Sequence, residues 1–174
     1  MNTQDLNNEY TLWYHNPNDT NWTQDSYHQI LSFTNLQEFW TLDYFITQEM
    51  IEEGMFFIMR EEVLPIWEED SNKDGGYISW KIEKKKAYNL WIDIAGYLIT
   101  NNLMNDELIN GISISPKKNF NIIKLWFKEP IELQNYTLPE TFKMIELEKV
   151  FKLHQTYLQK EKNEKNEKND KMIK

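Results

Sequence analysis

Two stretches of this chain carry the pattern of antiparallel strands joined by tight turns. The turn sequence NKDGGY (72–77) leads into a segment in which large apolar side chains alternate with other residues: Ile78, Trp80 and Ile82 against Tyr77, Ser79 and Lys81. A period of two places each set on its own face of a strand. GISIS (111–115) and FNIIKLWF (120–127) flank a Pro-Lys-Lys-Asn turn. The sequence therefore predicts hairpins of an antiparallel sheet.

Further strands are predicted at 9–15, 26–33 and 54–60, where aromatic and β-branched residues cluster. Helices are predicted between and after the strands. The first has Thr34 as N-cap and Gln37 as capping-box partner, with an apolar face of Leu36, Phe39, Trp40, Phe45 and Ile46. The second spans 85–102, with an inner face of Leu90, Ile94, Tyr97 and Leu98. The third begins at Pro139 and carries Met144, Leu147, Phe151 and Leu158 near heptad spacing.

This arrangement predicts an α+β fold, a curved antiparallel β-sheet with helices packed on its convex face. The length of 174 residues fits one domain. We expect a flexible N-terminal segment at 1–8, the domain itself at 9–159, and a low-complexity charged tail at 160–174. The tail, KEKNEKNEKNDKMIK, has almost nothing apolar to bury.

Composition excludes several classes of protein. The absence of cysteine excludes a disulfide framework, a thiolate zinc site and a cysteine nucleophile, and it favours a reducing compartment. A mean hydropathy of −0.72, with no apolar run near the length of a bilayer, excludes a membrane span. The N-terminus lacks the features of a signal peptide. We therefore expect a cytoplasmic protein.

The sequence offers no catalytic constellation. Its three histidines, His15, His28 and His154, are scattered without metal-ligand spacing. No GxSxG, HExxH, P-loop or GxGxxG motif is present. We therefore expect no enzymatic activity, no metal and no cofactor.

Net charge limits the kind of nucleic-acid contact. A net charge of −9 argues against sequence-independent binding to a phosphate backbone, which depends on cation neutralisation. It leaves open the binding of one nucleotide in one pocket.

Two tryptophans in polar loops suggest a clamp for a flat ring. Trp22 lies in the turn-rich segment after the first strand, and Trp67 is followed by Glu68 at the end of an extended segment. Two indoles can stack on both faces of a ring, more strongly if the ring is cationic, and a carboxylate can accept hydrogen bonds at its edge. N7-methylated guanine offers a cationic ring and paired N–H donors. The alternative is that both tryptophans anchor surface loops over the core.

These residues belong to a longer pattern that resembles a known family. The matching segments are Leu12-Trp13-Tyr14, Thr20-Asn21-Trp22, Glu38-Phe39-Trp40, Pro65-Ile66-Trp67-Glu68, Asn72-Lys73-Asp74-Gly75-Gly76 and Leu125-Trp126. In this order and at these intervals they resemble the eukaryotic translation initiation factor 4E family, which binds the messenger RNA cap.

The resemblance implies roles for particular residues. Trp22 and Trp67 would sandwich 7-methylguanine, Glu68 would accept from its N1–H and amine, and Trp126 would pack near the N7-methyl group. Lys117 stands where the family has an arginine for the cap phosphates. Ile122 stands at the family's lysine position, so either Lys118 or Lys124 replaces that lysine or the affinity for the phosphates is weaker. The alternative for Lys117 and Lys118 is that they belong to a solvated turn.

The resemblance also implies a second site on the opposite, helical face, where the family docks a helix of a scaffold initiation factor or of a 4E-binding repressor. The residues of this site would be Leu36, Trp40, Ile92, Asp93 and Gly96, with Gly96 where a bulky apolar residue is usual. For Trp40 the alternative is simple core packing. The expected protein is a monomer that binds 7-methylguanosine-capped RNA and links it to translation initiation.

Departures from the family pattern keep two alternatives open. Ile78 replaces a family tryptophan, the N-terminal His-Pro contact is missing, and the family's elements after Trp126 are not recognisable. Gly96 suggests a cap-binding repressor that does not recruit the scaffold. Ile122 and the altered C-terminus suggest a decoy adaptor that binds 4E partners without cap.

Overall fold

Seven antiparallel strands form one sheet in the computed structural model, which describes residues 4–143 and 149–155. In chain order they are β1 Asp5–His15, β2 Tyr27–Asn35, β3 Met55–Arg60, β4 Gly76–Glu83, β5 Ile109–Pro116, β6 Phe120–Phe127 and β7 Val150–Leu153. Their order across the sheet is β2-β1-β3-β5-β6-β4-β7. The predicted hairpin of 111–115 and 120–127 is confirmed as β5 and β6.

The described α-helices are α1 Leu36–Trp40, α2 Leu42–Phe45, α3 Gln48–Glu53 and α4 Lys84–Ile99. They pack with one face of the sheet around a large apolar core that includes Phe39, Ile51, Trp91 and Leu98. The predicted antiparallel sheet with helices on one face, an α+β fold, is confirmed.

Alternation along the strands separates this core from the other face of the sheet. On β6, Ile123, Leu125 and Phe127 belong to the helix-side core. Trp126 belongs to a second cluster with Phe57 and Met59 of β3. Because successive side chains of a strand point to opposite faces, the same strands carry a core on one side and a second aromatic surface on the other.

The prediction for the first helix is wrong about where the helix begins and about its being one unbroken helix. The N-cap is Asn35 rather than Thr34, because the Asn35 side chain accepts from the Glu38 N–H at 3.0 Å, while the Glu38 carboxylate accepts from the Thr34 N–H at 2.8 Å. The segment then forms the short helices α1, α2 and α3 instead of one. Phe45, predicted to face the core, is 63% exposed.

The turn at 72–77 does not close a hairpin. The preceding strand β3 ends at Arg60, and β4 pairs with β6 and β7. Its glycines serve close backbone packing, since a Cβ added at Gly75 would lie 1.8 Å from the Phe127 carbonyl oxygen.

The N-terminal boundary is also earlier than predicted. β1 begins at Asp5, which is paired with Asn35, and the Leu36 N–H donates to the Gln4 carbonyl at 3.0 Å. Residues 5–8, predicted as part of a flexible segment, therefore belong to a strand. The polar sequence DLNN has no alternation that could have revealed it.

The C-terminal prediction fails where it can be compared. Residues 140–143 form a short 3₁₀ turn after Pro139, and Phe151 lies in β7, where it pairs with Ile78 of β4. Met144, Leu147, Leu158 and the charged tail 160–174 lie outside the described residues. Within α4, Ile94 and Leu98 are buried as predicted, whereas the fully buried Trp91 was missed.

Candidate functional site

A cavity of about 630 Å³ lies on the sheet face opposite the helices. Its floor includes Phe57, Ser113 and Trp126 from β3, β5 and β6. Its walls come from the β1–β2 loop, which carries Trp22, and from the β3–β4 loop, which carries Trp67 and Glu68. The volume falls in the range of sites that bind small ligands.

Trp22 is held from behind by a histidine. The His15 imidazole stacks on the Trp22 indole with ring centroids 4.2 Å apart and planes 7° apart. The His15 Nε2 lies 2.9 Å from the Asn21 carbonyl oxygen, and because that oxygen can only accept, Nε2 carries the proton. Trp22 is 46% exposed and lines the cavity. It is not a core residue.

Side-chain turns order the loop around Trp22. The Asn21 N–H donates to Asp19 Oδ1 at 2.8 Å, and the Thr23 N–H donates to Asn21 Oδ1 at 3.0 Å. Such Asx turns replace backbone hydrogen bonds in irregular segments. The loop is therefore built to present its indole.

A pair of asparagines fixes the loop that carries Trp67. The Asn72 side-chain amide donates to the carbonyl oxygens of Leu64 and Ile66, both at 2.8 Å. Asn110 of β5 in turn donates to Asn72 Oδ1 at 2.8 Å. These bonds attach both sides of the Trp67 loop to the sheet. Asn72 was noted in the sequence only as part of a turn and of a segment that resembles the family, and Asn110 was missed.

Glu68 is exposed at the cavity and lies close enough to Tyr27 to affect its hydroxyl electrostatically. Burial raises the pKa of Tyr27, and the negative charge of Glu68 raises it further. Tyr27 also lines the cavity. Glu68 therefore borders the cavity from the Trp67 loop, and its charge reaches Tyr27 in the same lining.

Trp126 forms part of the floor and is 2% exposed. Its Nε1–H donates to Ser113 Oγ at 2.9 Å, and its ring packs edge-on against Phe57 at 6.1 Å. The hydrogen bond satisfies the buried indole N–H, which fixes the ring plane at the bottom of the cavity.

Lysines supply the positive charge of the site. Lys117 and Lys124 line the cavity together with Ile122, whereas Lys118 stands exposed in the β5–β6 turn outside the lining. The Lys124 Nζ lies 4.3 Å from the centroid of Tyr77 and 5.1 Å from that of Trp67. Burial lowers the pKa of Lys124 to about 8, with further lowering by the charges of Lys117 and Lys152.

His154 is a site residue that the sequence did not reveal. It is fully buried, with its ring 5.1 Å from that of Trp126 and 6.0 Å from that of Trp67. Burial, with the nearby charge of Lys124, lowers the pKa of His154 to about 4. The imidazole is therefore neutral at pH 7 and acts as an aromatic support of the cavity wall. Only its position after β7, opposite Gly75, brings it here.

The opposite, helical face gathers the residues predicted for a partner. Trp40 is 46% exposed and packs edge-on against Phe39 at 5.0 Å, so core packing does not explain it. On α4, Ile92 is buried and Asp93 is exposed. Partial desolvation of the Asp93 carboxylate, with the charge of Asp43, raises its pKa. Among the residues that the structure describes, a Cβ added at Gly96 would meet only Phe39, at 4.0 Å. Leu36 is half-buried beside them.

Within residues 4–143 and 149–155, no group of three histidine, aspartate or glutamate side chains could hold a metal ion. In the same part of the chain, no helix has the length and apolar character to cross a membrane. The chemistry that the cavity offers is stacking, hydrogen-bond acceptance and positive charge.

Comparison with known proteins identifies the family. The family model described as Eukaryotic initiation factor 4E matches residues 5–172. This chain belongs to the eukaryotic initiation factor 4E family. The resemblance seen in the sequence is thereby confirmed.

Among the 4E relatives, the eukaryotic translation initiation factor 4E of Eremothecium gossypii is 30% identical over 131 residues, 71% of this chain and 62% of the relative. That of Saccharomyces cerevisiae is 30% identical over 131 residues, 71% of this chain and 61% of the relative. This 4E-family chain therefore matches less than two thirds of the length of these relatives.

Solved 4E structures share the fold. Ascaris suum eIF4E-3, in complex with an m2,2,7G cap, superposes with a TM-score of 0.66 at 20% identity and covers 75% of this chain and 77% of that one. Caenorhabditis elegans eIF4E-3, in complex with the 4E-binding protein Mextli and a cap analog, gives a TM-score of 0.67 at 18% identity and covers 74% and 76%. The curved sheet with helices is thus the fold of the family.

Proposed function

We propose that this 4E-family protein binds the 7-methylguanosine cap of messenger RNA and links it to the translation initiation machinery. The observation that carries the proposal is that Trp22, Trp67 and Glu68 line one cavity from two separately braced loops. The relatives named translation initiation factors, and the eIF4E-3 structures solved with caps, support the same ligand class.

In this proposal the methylated base lies between the indoles of Trp22 and Trp67. Its positive charge strengthens the stacking, because the faces of both indoles are electronegative. Glu68 accepts from N1–H and the exocyclic amine, as charge-assisted hydrogen bonds. Trp126 closes the floor beside the N7-methyl group. Plain guanine lacks the positive charge and binds more weakly.

The phosphates of the cap are bound by lysines in this proposal. Lys117 and Lys124 line the cavity, and Lys118 extends from the same turn. Ile122 cannot contribute a charge. Lys124, two residues further along β6 and on the same face of the strand, supplies a cation instead. Support comes from the Lys124 Nζ, which lies 5.1 Å from the centroid of the Trp67 ring.

On the helical face, we assign Leu36, Trp40, Ile92, Asp93 and Gly96 to the docking of a helix from a scaffold initiation factor or a 4E-binding repressor. The exposed indole of Trp40 supports this assignment, as does the 4E-binding protein in the C. elegans complex. The protein works in this scheme as a cytoplasmic monomer that recognises its ligands without catalysing a reaction.

Titration of tryptophan fluorescence with 7-methyl-GTP and with GTP tests cap binding. The methylated compound should quench emission at much lower concentration. Trp67→Ala should weaken binding of 7-methyl-GTP by roughly tenfold or more, since stacking contributes about 1–3 kcal/mol per base. Glu68→Gln should weaken it by a similar factor, whereas Glu69→Gln, the neighbouring carboxylate outside the lining, should not.

A crossed experiment separates the two faces. Trp22 and Trp40 are equally exposed, at 46% each. Trp22→Ala should abolish retention on a cap-analogue resin and spare binding of a scaffold-derived helix, and Trp40→Ala should do the reverse. Equal quenching by 7-methyl-GTP and GTP, or full retention of Trp67→Ala on the resin, would contradict the proposal.

A further inference from the structure

The apolar ring of Phe120 has no place in either core of the described chain. It is half-buried at the start of β6, and it packs with neither the helix-side core nor the cluster around Trp126. As an even-numbered residue of β6 it lies on the same face as Lys124 and Trp126. The Phe120 ring therefore stands on this face outside both cores.

A lysine sits on this ring. The Lys81 Nζ, from the neighbouring strand β4, lies 4.3 Å from the centroid of Phe120. Lys81 is exposed and pairs across the strands with Ile122, which lines the cavity. The ring and its cation thus continue the surface that begins in the cavity.

The lysines of this surface differ from five other lysines of the described chain, whose charges are balanced by carboxylates. Lys73, Lys84, Lys85, Lys86 and Lys143 form ion pairs with carboxylates. Within residues 4–143 and 149–155, no ion pair involves Lys81, Lys117, Lys118 or Lys124. In a chain of net charge −9, this concentration of unpaired cations on one surface is complementary to a polyanion.

One carboxylate stands close to the ring and is engaged elsewhere. Glu83 pairs across the strands with Phe120, but its carboxylate oxygens lie 3.3 Å from Lys86 Nζ and 3.6 Å from Lys85 Nζ. Its charge is therefore balanced on the side of α4, and the surface near Phe120 stays positive.

From these observations we propose that Phe120 stacks on the base of the first nucleotide after the cap, while Lys81 binds its phosphate. The inference rests on the proposed function, because the capped end must first occupy the cavity. Along β6, Phe120 lies six residues from Trp126, roughly 20 Å at the usual rise of a strand. A triphosphate bridge and one nucleoside can bridge that gap, over Lys117 and Lys124. Stacking on an aromatic ring beside a cation is a general mode of single-strand recognition.

A thermodynamic cycle on base and ring tests the inference. The ligands are 7-methyl-GTP, a capped pentanucleotide, and the same pentanucleotide with an abasic first position. For the unchanged protein, loss of the base should weaken binding of the pentanucleotide about five- to tenfold. Phe120→Ala should show the same loss with the intact ligand and no further loss with the abasic ligand, because both changes remove one contact.

The remaining variants locate the contact. Phe120→Trp should restore the preference for the intact base. Lys81→Ala should weaken the binding of capped RNA about two- to fivefold. It should also reduce, by about one, the slope of the logarithm of the binding constant against the logarithm of salt concentration. Binding of 7-methyl-GTP should be unchanged in all three variants, and Lys143→Ala, which removes a charge elsewhere, should change nothing.

Distinct outcomes overturn distinct statements. If the unchanged protein fails to bind 7-methyl-GTP, the proposed function is wrong. If the unchanged protein binds 7-methyl-GTP, but removal of the first base weakens binding of the pentanucleotide to Phe120→Ala by the same factor as to the unchanged protein, the proposed stacking on Phe120 is wrong. Displacement of capped RNA by an acidic peptide, without any gain from the first base, would show that the surface serves a protein instead.

Discussion

The imidazole of His15 lies flat against the indole of Trp22, with centroids 4.2 Å apart, and is itself fully buried. One face of the indole is therefore covered by protein before any ligand binds. Holding a binding group in place beforehand reduces the entropy lost on binding. The stack connects the end of β1 directly to the wall of the cavity.

Replacing His15 by alanine should loosen this wall. We expect His15→Ala to weaken binding of 7-methyl-GTP about three- to tenfold and to lower the free energy of unfolding by about 1–3 kcal/mol, because a buried ring is removed. His15→Phe keeps a ring behind Trp22 and should retain most of the affinity. Fluorescence titration and chemical denaturation measure the two effects. If both variants bind as the unchanged protein does, the stack plays no part in binding.

The asparagine pair behind Trp67 predicts a linked loss of stability and affinity. Asn72→Ala leaves the carbonyl oxygens of Leu64 and Ile66 without their donor, which should cost about 1–3 kcal/mol in unfolding. The Trp67 loop should then become more mobile, and affinity for 7-methyl-GTP should fall several-fold. Asn102→Ala, in a loop away from the cavity, is a matched control. A stable Asn72→Ala protein with unchanged affinity would contradict this role.

Lys124 should make binding depend on pH. Its pKa is about 8 in the folded chain against an ordinary 10.5. Between these pH values the unfolded chain holds a proton that the folded chain lacks, so this group makes stability rise with pH from about 8 to 10.5. An anionic ligand prefers the charged lysine, so affinity for the cap phosphates should fall as pH rises through about 8.

The variant Lys124→Met separates these effects from the titration of the ligand itself. It should raise the free energy of unfolding at pH 7 by about 1–2 kcal/mol, because the cation is no longer held in a partly desolvated position. It should also weaken the binding of 7-methyl-GTP and remove the part of the pH dependence of affinity that comes from the titration of Lys124. Isothermal titration at several pH values measures both. Lys128→Met, an exposed lysine after β6, should leave the profile unchanged.

Gly96 offers a stabilising substitution on the helical face. It lies inside α4, and an added Cβ would touch Phe39 at the ordinary distance of 4.0 Å. Gly96→Ala should therefore raise the free energy of unfolding by about 0.5–1 kcal/mol through helix propensity. Cap binding should not change. Destabilisation measured by thermal unfolding would mean that the space beside Gly96 is needed by its neighbours.

Elements with strong local patterns could be predicted from the sequence. The β5–β6 hairpin has alternation on both sides of a turn, and β3 is a continuous apolar run, so both were placed correctly. The first strand could not be bounded, because Asp5 is held by pairing with Asn35 rather than by apolar alternation. The role of Gly75 and Gly76 depends on backbone packing against strands distant in sequence, which local turn chemistry cannot reveal.

The residues of the candidate site also fall into those that the sequence could predict and those that it could not. Trp22, Trp67 and Glu68 were singled out because large rings in polar loops are unusual, and the structure brings them to one cavity. His15, Asn110 and His154 were not, since each acts through a contact made only after the strands assemble. His154 reaches Trp67 because β7 pairs with β4, whereas the sequence pattern of this segment predicts a helix.

The alternation on β6 constrains how a protein of this design can change over generations. Single substitutions at Ile122, Lys124 or Trp126 alter what the cavity recognises and leave Ile123 and Leu125 untouched in the interior. An inserted or deleted residue within the strand would exchange the two sets and ruin both at once. New ligand preferences are therefore open to point mutation in this strand, whereas changes of length are restricted to the loops around it.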